Sequence, residues 1–132
     1  MIQKLTILLT TDKSGLNLIK TFHLYSGFRR RWTTIGRFIK GSAKIAVNKK
    51  FKNMDIFRKI KKVRKGQIIR ALVTRQSFKM LKEDFSNLTV KDNTCIALRK
   101  RKLLRSKYIF GPIFSNFKRK RFFYLYKTKI LC

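Results

Sequence analysis

Apolar residues along this chain gather in short runs of three to ten, separated by polar breaks, and few runs keep a helical period. Thr6 to Thr10 is β-prone and stops at Thr11-Asp12-Lys13-Ser14-Gly15, a composition that turns chains. Leu18 to Tyr25 forms the next strand-like run, closed by Ser26-Gly27, and Trp32 to Ile35, Gly36 and Phe38 to Val47 follow. Ile68 to Thr74 is almost continuously apolar, the pattern of a strand buried on both faces. Leu88 to Val90 and Thr94 to Leu98 flank the turn-like trio Lys91-Asp92-Asn93, and Tyr124 to Ile130 alternates between two faces. Many short strands with frequent turns predict a mainly β protein, a small barrel or a sandwich.

Two segments leave that rhythm. Between Lys49 and Lys65, Phe51, Met54, Phe57 and Ile60 recur every third residue, which predicts a short amphipathic helix. Pro112, the only proline, stands before Ile113 to Phe117 and suits the first position of a short helix over 112–121. No linker-like or repeated stretch divides the chain, so residues 1–132 read as one domain.

Charge changes the picture most. Lys and Arg number 35 against 5 acids, a formal net charge of +30. A folded body of 132 residues holds so many like charges only beside a polyanion. Disorder is the rival reading of such a charge, but 44% hydrophobic and 13% aromatic residues give the chain a core to bury. The two cysteines, Cys95 and Cys132, sit near no histidine pair and read as reduced thiols, one of them buried. No apolar run is long enough to span a bilayer, which predicts no membrane insertion.

Material for catalysis is scarce. The single histidine, His23, lies inside a strand-like run, where packing is the ordinary role. Of the five acids Asp12, Asp55, Glu83, Asp84 and Asp92, only Glu83 and Asp84 adjoin, and neighbours in an extended chain point to opposite faces. The glycines match no phosphate loop. The expectation is no enzyme, no cofactor, no metal and no small-molecule substrate.

Basic residues cluster at Arg29 to Arg31, Lys49 to Lys65, Arg99 to Lys107 and Lys118 to Arg121, all between the strand-like runs. Any one such cluster is ordinarily a solvated loop. Four of them, with hardly an acid between, place cations at the ends of a rigid frame, as phosphate neutralisation requires. Arg29-Arg30-Arg31 beside Phe28 and Trp32 adds rings that can stack on unpaired bases, although Phe28 and Trp32 would also suit the core. The signatures of common RNA-binding modules are missing, so the reading is RNA binding by a scaffold of another shape. A general cationic nucleic-acid-binding or DNA-compacting protein explains the charge equally well. A membrane-active cationic helix is opposed by the strand-rich pattern.

Several motifs in order carry a resemblance. Met1-Ile2-Gln3, Thr6 and Asp12-x-Ser14-Gly15 come first, then Arg30-Arg31-Trp32 and Ile35-Gly36. Lys62-Val63-Arg64-Lys65-Gly66 leads into Ile68 to Arg75, and Asp92 to Leu98 and Ile109-Phe110-Gly111-Pro112-Ile113 complete the series. Together they resemble the universal large-subunit ribosomal protein family number fourteen over essentially the whole chain. The resemblance implies a small closed five-stranded β-barrel with a short C-terminal helical appendage, here carrying a basic loop insertion at 48–61. It implies large-subunit rRNA, neighbouring large-subunit ribosomal proteins, and small-subunit rRNA at an intersubunit bridge as partners. Carried onto this sequence, the RNA-binding set is Arg29, Arg30, Arg31, Trp32, Lys44, Lys49, Lys50, Lys52, Lys61, Lys62, Arg64, Lys65, Arg75, Arg99, Lys100, Arg101 and Lys102. Lys118, Arg119, Lys120 and Arg121 would face the subunit interface. Residues with AT-rich codons (Phe, Tyr, Met, Ile, Asn, Lys) outnumber those with GC-rich codons (Gly, Ala, Arg, Pro) by more than two to one. Because the likeness starts at Met1, the expectation is an organelle-encoded mitochondrial ribosomal protein without a cleaved presequence.

Overall fold

The computed structural model describes residues 1–25, 27, 29–46, 63–81, 84–99, 103–106 and 108–113. Among the described residues nine strands follow in chain order: β1 (Ile2–Gln3), β2 (Ile7–Thr10), β3 (Leu16–His23), β4 (Trp32–Thr33), β5 (Phe38–Ala46), β6 (Ile68–Arg75), β7 (Met80–Leu81), β8 (Asn87–Leu88) and β9 (Thr94–Leu98). Five of them close into a barrel in the order β2-β3-β5-β6-β9, which decides between barrel and sandwich. All neighbours are antiparallel except at the seam, where β2 and β9 run parallel with Leu9 opposite Thr94 and Thr10 opposite Cys95. Closure leaves these five strands no open edge.

The strands alternate as a two-layered core requires. Ile69, Ala71 and Val73 of β6 and Cys95 and Ala97 of β9 join Leu8, Leu16, Ile19, Ile39 and Ala43 in one buried cluster. Leu72, Ile96 and Leu98, on the opposite faces of β6 and β9, pack with Ile109 and Ile113 in a second. A five-stranded barrel is narrow inside, so inward positions take small residues between the large ones. Gly41, Ala43, Ala71, Cys95 and Ala97 are the small ones here. A β-carbon at Gly41 would overlap Ile19 Cγ2 and stand 2.7 Å from the Lys20 carbonyl oxygen. Burial in this dry interior also pushes the Cys95 thiol upward in pKa, so it stays protonated and inert.

The second cluster explains why Ile68 to Thr74 and Thr94 to Leu98 lack a polar face. After β9 the chain doubles back, with Arg99 N–H donating to the Leu103 carbonyl at 2.7 Å and Arg105 N–H to the Ala97 carbonyl at 3.2 Å. Residues 103–106 and 108–113 then pack on the outside of β6 and β9 as a strap, with Ile109 bridged to Asp12 and Phe110 N–H bonded to the Thr11 carbonyl at 2.7 Å. No helix occurs among the described residues, and Pro112 and Ile113 belong to this strap. The remainder of the helix expected at 112–121, the 48–61 insertion with its helical pattern, the run Tyr124 to Ile130, Phe28 and Cys132 lie outside the described residues.

Asp12 is the buried acid that joins turn, seam and strap. One carboxylate oxygen accepts from the Ser14 hydroxyl and, at 3.2 Å, from Ser14 N–H; the other accepts from Ala97 N–H at 2.8 Å. Desolvation nevertheless raises its pKa, against the pull of those bonds and of Arg105. A raised carboxyl pKa stabilises the fold most where the group is protonated, below the ordinary carboxylate range, and that contribution is lost as pH rises through the folded value. Asp12→Asn cannot titrate and turns an amide donor toward one of the N–H groups, costing about 1–3 kcal/mol. Denaturant melts should therefore show the wild-type advantage over Asp12→Asn shrinking as pH rises from about 4. An advantage that grows instead would refute the raised pKa.

Candidate nucleic-acid interface

The strand directions sort the described basic positions between the two ends of the barrel. The β3–β5 connection, with Arg29 to Arg31, shares one end with residues 1–6, while the turn before β6, with Arg64 and Lys65, shares the other with Arg99.

At the first end Gln3, Lys4, Arg29, Arg30 and Arg31 line an open cleft of about 300 Å³. No acid stands among these lining residues. The cleft is built by long-range pairing: β1 pairs with β4, putting Ile2 opposite Thr33 and Gln3 opposite Trp32. Ile2 is wholly buried, an anchor of about 2 kcal/mol that fixes the residues on either side of it. The buried Thr21 hydroxyl adds bonds to the Gln3 and Thr6 carbonyls at 2.9 and 3.0 Å. Within the loop, Arg30 Nε donates to the Trp32 carbonyl at 2.9 Å and so stiffens the arginine knot. Trp32 is 48% exposed, which places its ring at the surface beside the cations and not in the core. Lys4 belongs to this cleft although the sequence reading passed over it.

At the other end Arg64 and Lys65 are exposed on a tight turn. Gln67 N–H donates to the Arg64 carbonyl at 3.1 Å, and Gly66 takes φ +81°, the value that the third position of such a turn demands. Gly66 N–H and the Gln67 carbonyl both bond to Ala43, at 2.8 and 2.9 Å, so the turn is welded to β5. Lys44 and Arg99 are exposed as well.

Arg75 sits differently from the other cations. Its Nε donates to Thr94 Oγ1 at 2.9 Å, and its guanidinium lies where a β-carbon on Gly111 would be. Gly111 has φ +82°, so both its backbone and its lack of a side chain admit the arginine. Burial lowers the Arg75 pKa, with Asp92 opposing. The geometry makes Arg75 a clasp between the seam and the strap. Lys49, Lys50, Lys52, Lys61, Lys62, Lys100, Arg101, Lys102 and Lys118 to Arg121 lie outside the described residues.

Three or more His, Cys, Asp or Glu residues placed to hold a metal do not occur among the described residues. No helix among them is long and apolar enough to cross a membrane. Fold and surface together define a class: a five-stranded barrel whose one buried acid among the described residues, Asp12, tethers the fold from within and whose loops carry cations.

Comparison with known proteins narrows the class. The family described as ribosomal protein L14p/L23e matches residues 1–128. A relative, the large ribosomal subunit protein uL14m of Tetrahymena pyriformis, is 34% identical over 122 residues, covering 92% of this chain and 93% of that protein. The chain belongs to the ribosomal protein L14p/L23e family.

Proposed function

We propose that this protein is a structural constituent of the mitochondrial large ribosomal subunit, binding large-subunit rRNA through the basic loops at both ends of its barrel. Membership of the family and the likeness to the uL14m protein support the ribosomal and mitochondrial parts of that reading. The observation that carries the RNA-binding part is the acid-free cleft of Lys4 and Arg29 to Arg31 on a rigid mount, with Trp32 beside it. Flexible cations lose entropy when they bind phosphate; cations on a prefixed loop lose less. Arg64, Lys65, Lys44 and Arg99 form the second contact area, extended by the insertion lysines and by Lys100 to Lys102. Lys118 to Arg121 face the intersubunit side, where bridges to small-subunit rRNA form, and neighbouring large-subunit proteins complete the surroundings. Arg75 contributes through the strap it clasps.

In sucrose gradients of organellar lysate at high magnesium and low salt, the protein should co-sediment with large-subunit particles. Its absence from those fractions would overturn the proposal. Competition between duplex DNA and structured rRNA fragments for the purified chain should favour the rRNA; equal competition would favour a general nucleic-acid binder.

A further inference from the structure

A second groove lies on the barrel wall. Tyr25, Phe38, Lys40, Arg70 and Leu98 line it, with a volume of about 190 Å³. The register explains its composition: His23 stands opposite Lys40, Lys40 opposite Arg70, and Arg70 opposite Leu98, one row across four strands. Phe38 and Leu98 back onto the second core cluster, so the apolar floor is firm. Tyr25 closes one side from a left-handed backbone, φ +53°. That conformation is costly for a residue with a bulky side chain and is kept only where the surroundings enforce it. His23 contacts it here: Tyr25 N–H donates to His23 Nδ1 at 3.2 Å, and the two rings meet edge to face at 4.8 Å. Lys40 Nζ stands 5.5 Å from the centroid of the Tyr25 ring.

We infer that this groove receives one unstacked nucleotide of an RNA strand, its base against Tyr25 and Phe38 and its phosphate against Lys40 and Arg70. The inference rests on the RNA-binding reading and adds a base-recognising site whose lining residues are all different from those of the cationic cleft. Two aromatic rings and two cations, with no acid among the lining residues, complement a nucleotide in both its parts. The size favours a single ring system, since sites for whole small-molecule ligands begin near about 300 Å³. A peptide adding itself as a strand is disfavoured, because β3, β5, β6 and β9 are paired on both sides within the closed barrel.

The test uses the full chain, a short oligouridylate and a matched abasic ribose-phosphate oligomer, with binding followed by fluorescence anisotropy. Tyr25→Ala should weaken oligouridylate binding about tenfold and leave the abasic oligomer unaffected, while Tyr25→Phe binds both as the wild type does. Arg70→Gln, at an exposed position, should flatten the salt dependence for both oligomers by about 0.7. Equal losses for the two oligomers with Tyr25→Ala, or no loss from either variant, would overturn the base site while leaving RNA binding intact. A wild-type chain that binds neither oligomer would overturn the RNA reading and the base site together. Displacement of oligouridylate from this groove by a Glu- and Tyr-containing peptide that binds more tightly would reassign it to a protein partner.

Discussion

Gly41→Ala is expected to lower the melting temperature of the chain by on the order of 10 °C. The added carbon would overlap Ile19 Cγ2 and approach the Lys20 carbonyl oxygen to 2.7 Å. The first obstacle is a side chain; the second is backbone of the paired strand β3, which moves only if the barrel opens. Overpacking in a well-filled interior costs about 1–3 kcal/mol, and a backbone obstacle puts Gly41 at the upper end. A second substitution separates the two obstacles. Ile19→Ala removes the methyl in the way but not the carbonyl, so the double variant should be less destabilised than the sum of the singles, yet below Ile19→Ala alone. Thermal unfolding followed by circular dichroism in moderate salt, which screens the self-repulsion, measures all three. Full additivity would show that Gly41 and Ile19 are not in contact.

The larger functional effect should come from the cleft. Replacing Lys4, Arg29, Arg30 and Arg31 by glutamine removes four adjacent cations from one mount. At about 0.7–0.9 per phosphate contact, the slope of log affinity against log salt should fall by about 3. Over a fourfold rise in salt, the wild type would then lose about 60-fold more affinity for an rRNA fragment than the variant. Filter binding at several salt concentrations reads the slope directly. The control removes the same charge elsewhere, from the exposed Lys13, Arg37, Lys79 and Lys91. Matching slopes for the two quadruple variants would mean that net charge, not the cleft, governs binding.

What the sequence made legible follows from which interactions are local. Thr94 to Leu98 was delimited correctly because an apolar run between turn residues marks a strand whatever surrounds it. The run expected to start at Leu18 starts at Leu16, since Gly15, with φ +77°, ends the turn one residue before it. Trp32 to Ile35 shortens to Trp32–Thr33, and in place of Leu88 to Val90 the strand is Asn87–Leu88, because each is held by one brief pairing and not by the barrel. Short strands β1 and β7 carry no periodic signal at all. The cleft was half legible: three consecutive arginines announce themselves, but Lys4 joins them only through the pairing of Gln3 with Trp32. Asp12 reads as a turn former, and its bond to Ala97, 85 residues away, is invisible to any local pattern. Arg75 ends an apolar run as a solvated cation would; only the Gly111 contact makes it a clasp.

The seam between β2 and β9 sets a schedule for the newborn chain. The strands that complete the ring are the first and the last of it, and the Asp12–Ala97 bond that accompanies them spans 85 residues. At translation rates of about 5–20 residues per second, roughly 4–17 s separate the emergence of the two partners. During that interval β2 has an unpaired edge, and the outer apolar face of β6 waits for the strap. Such distant contacts also make closure intrinsically slow once both partners are present. A basic, half-closed chain is thereby exposed to polyanions and to its own copies throughout synthesis, so a holding factor or early contact with RNA would act on an open ring before it acts on a barrel.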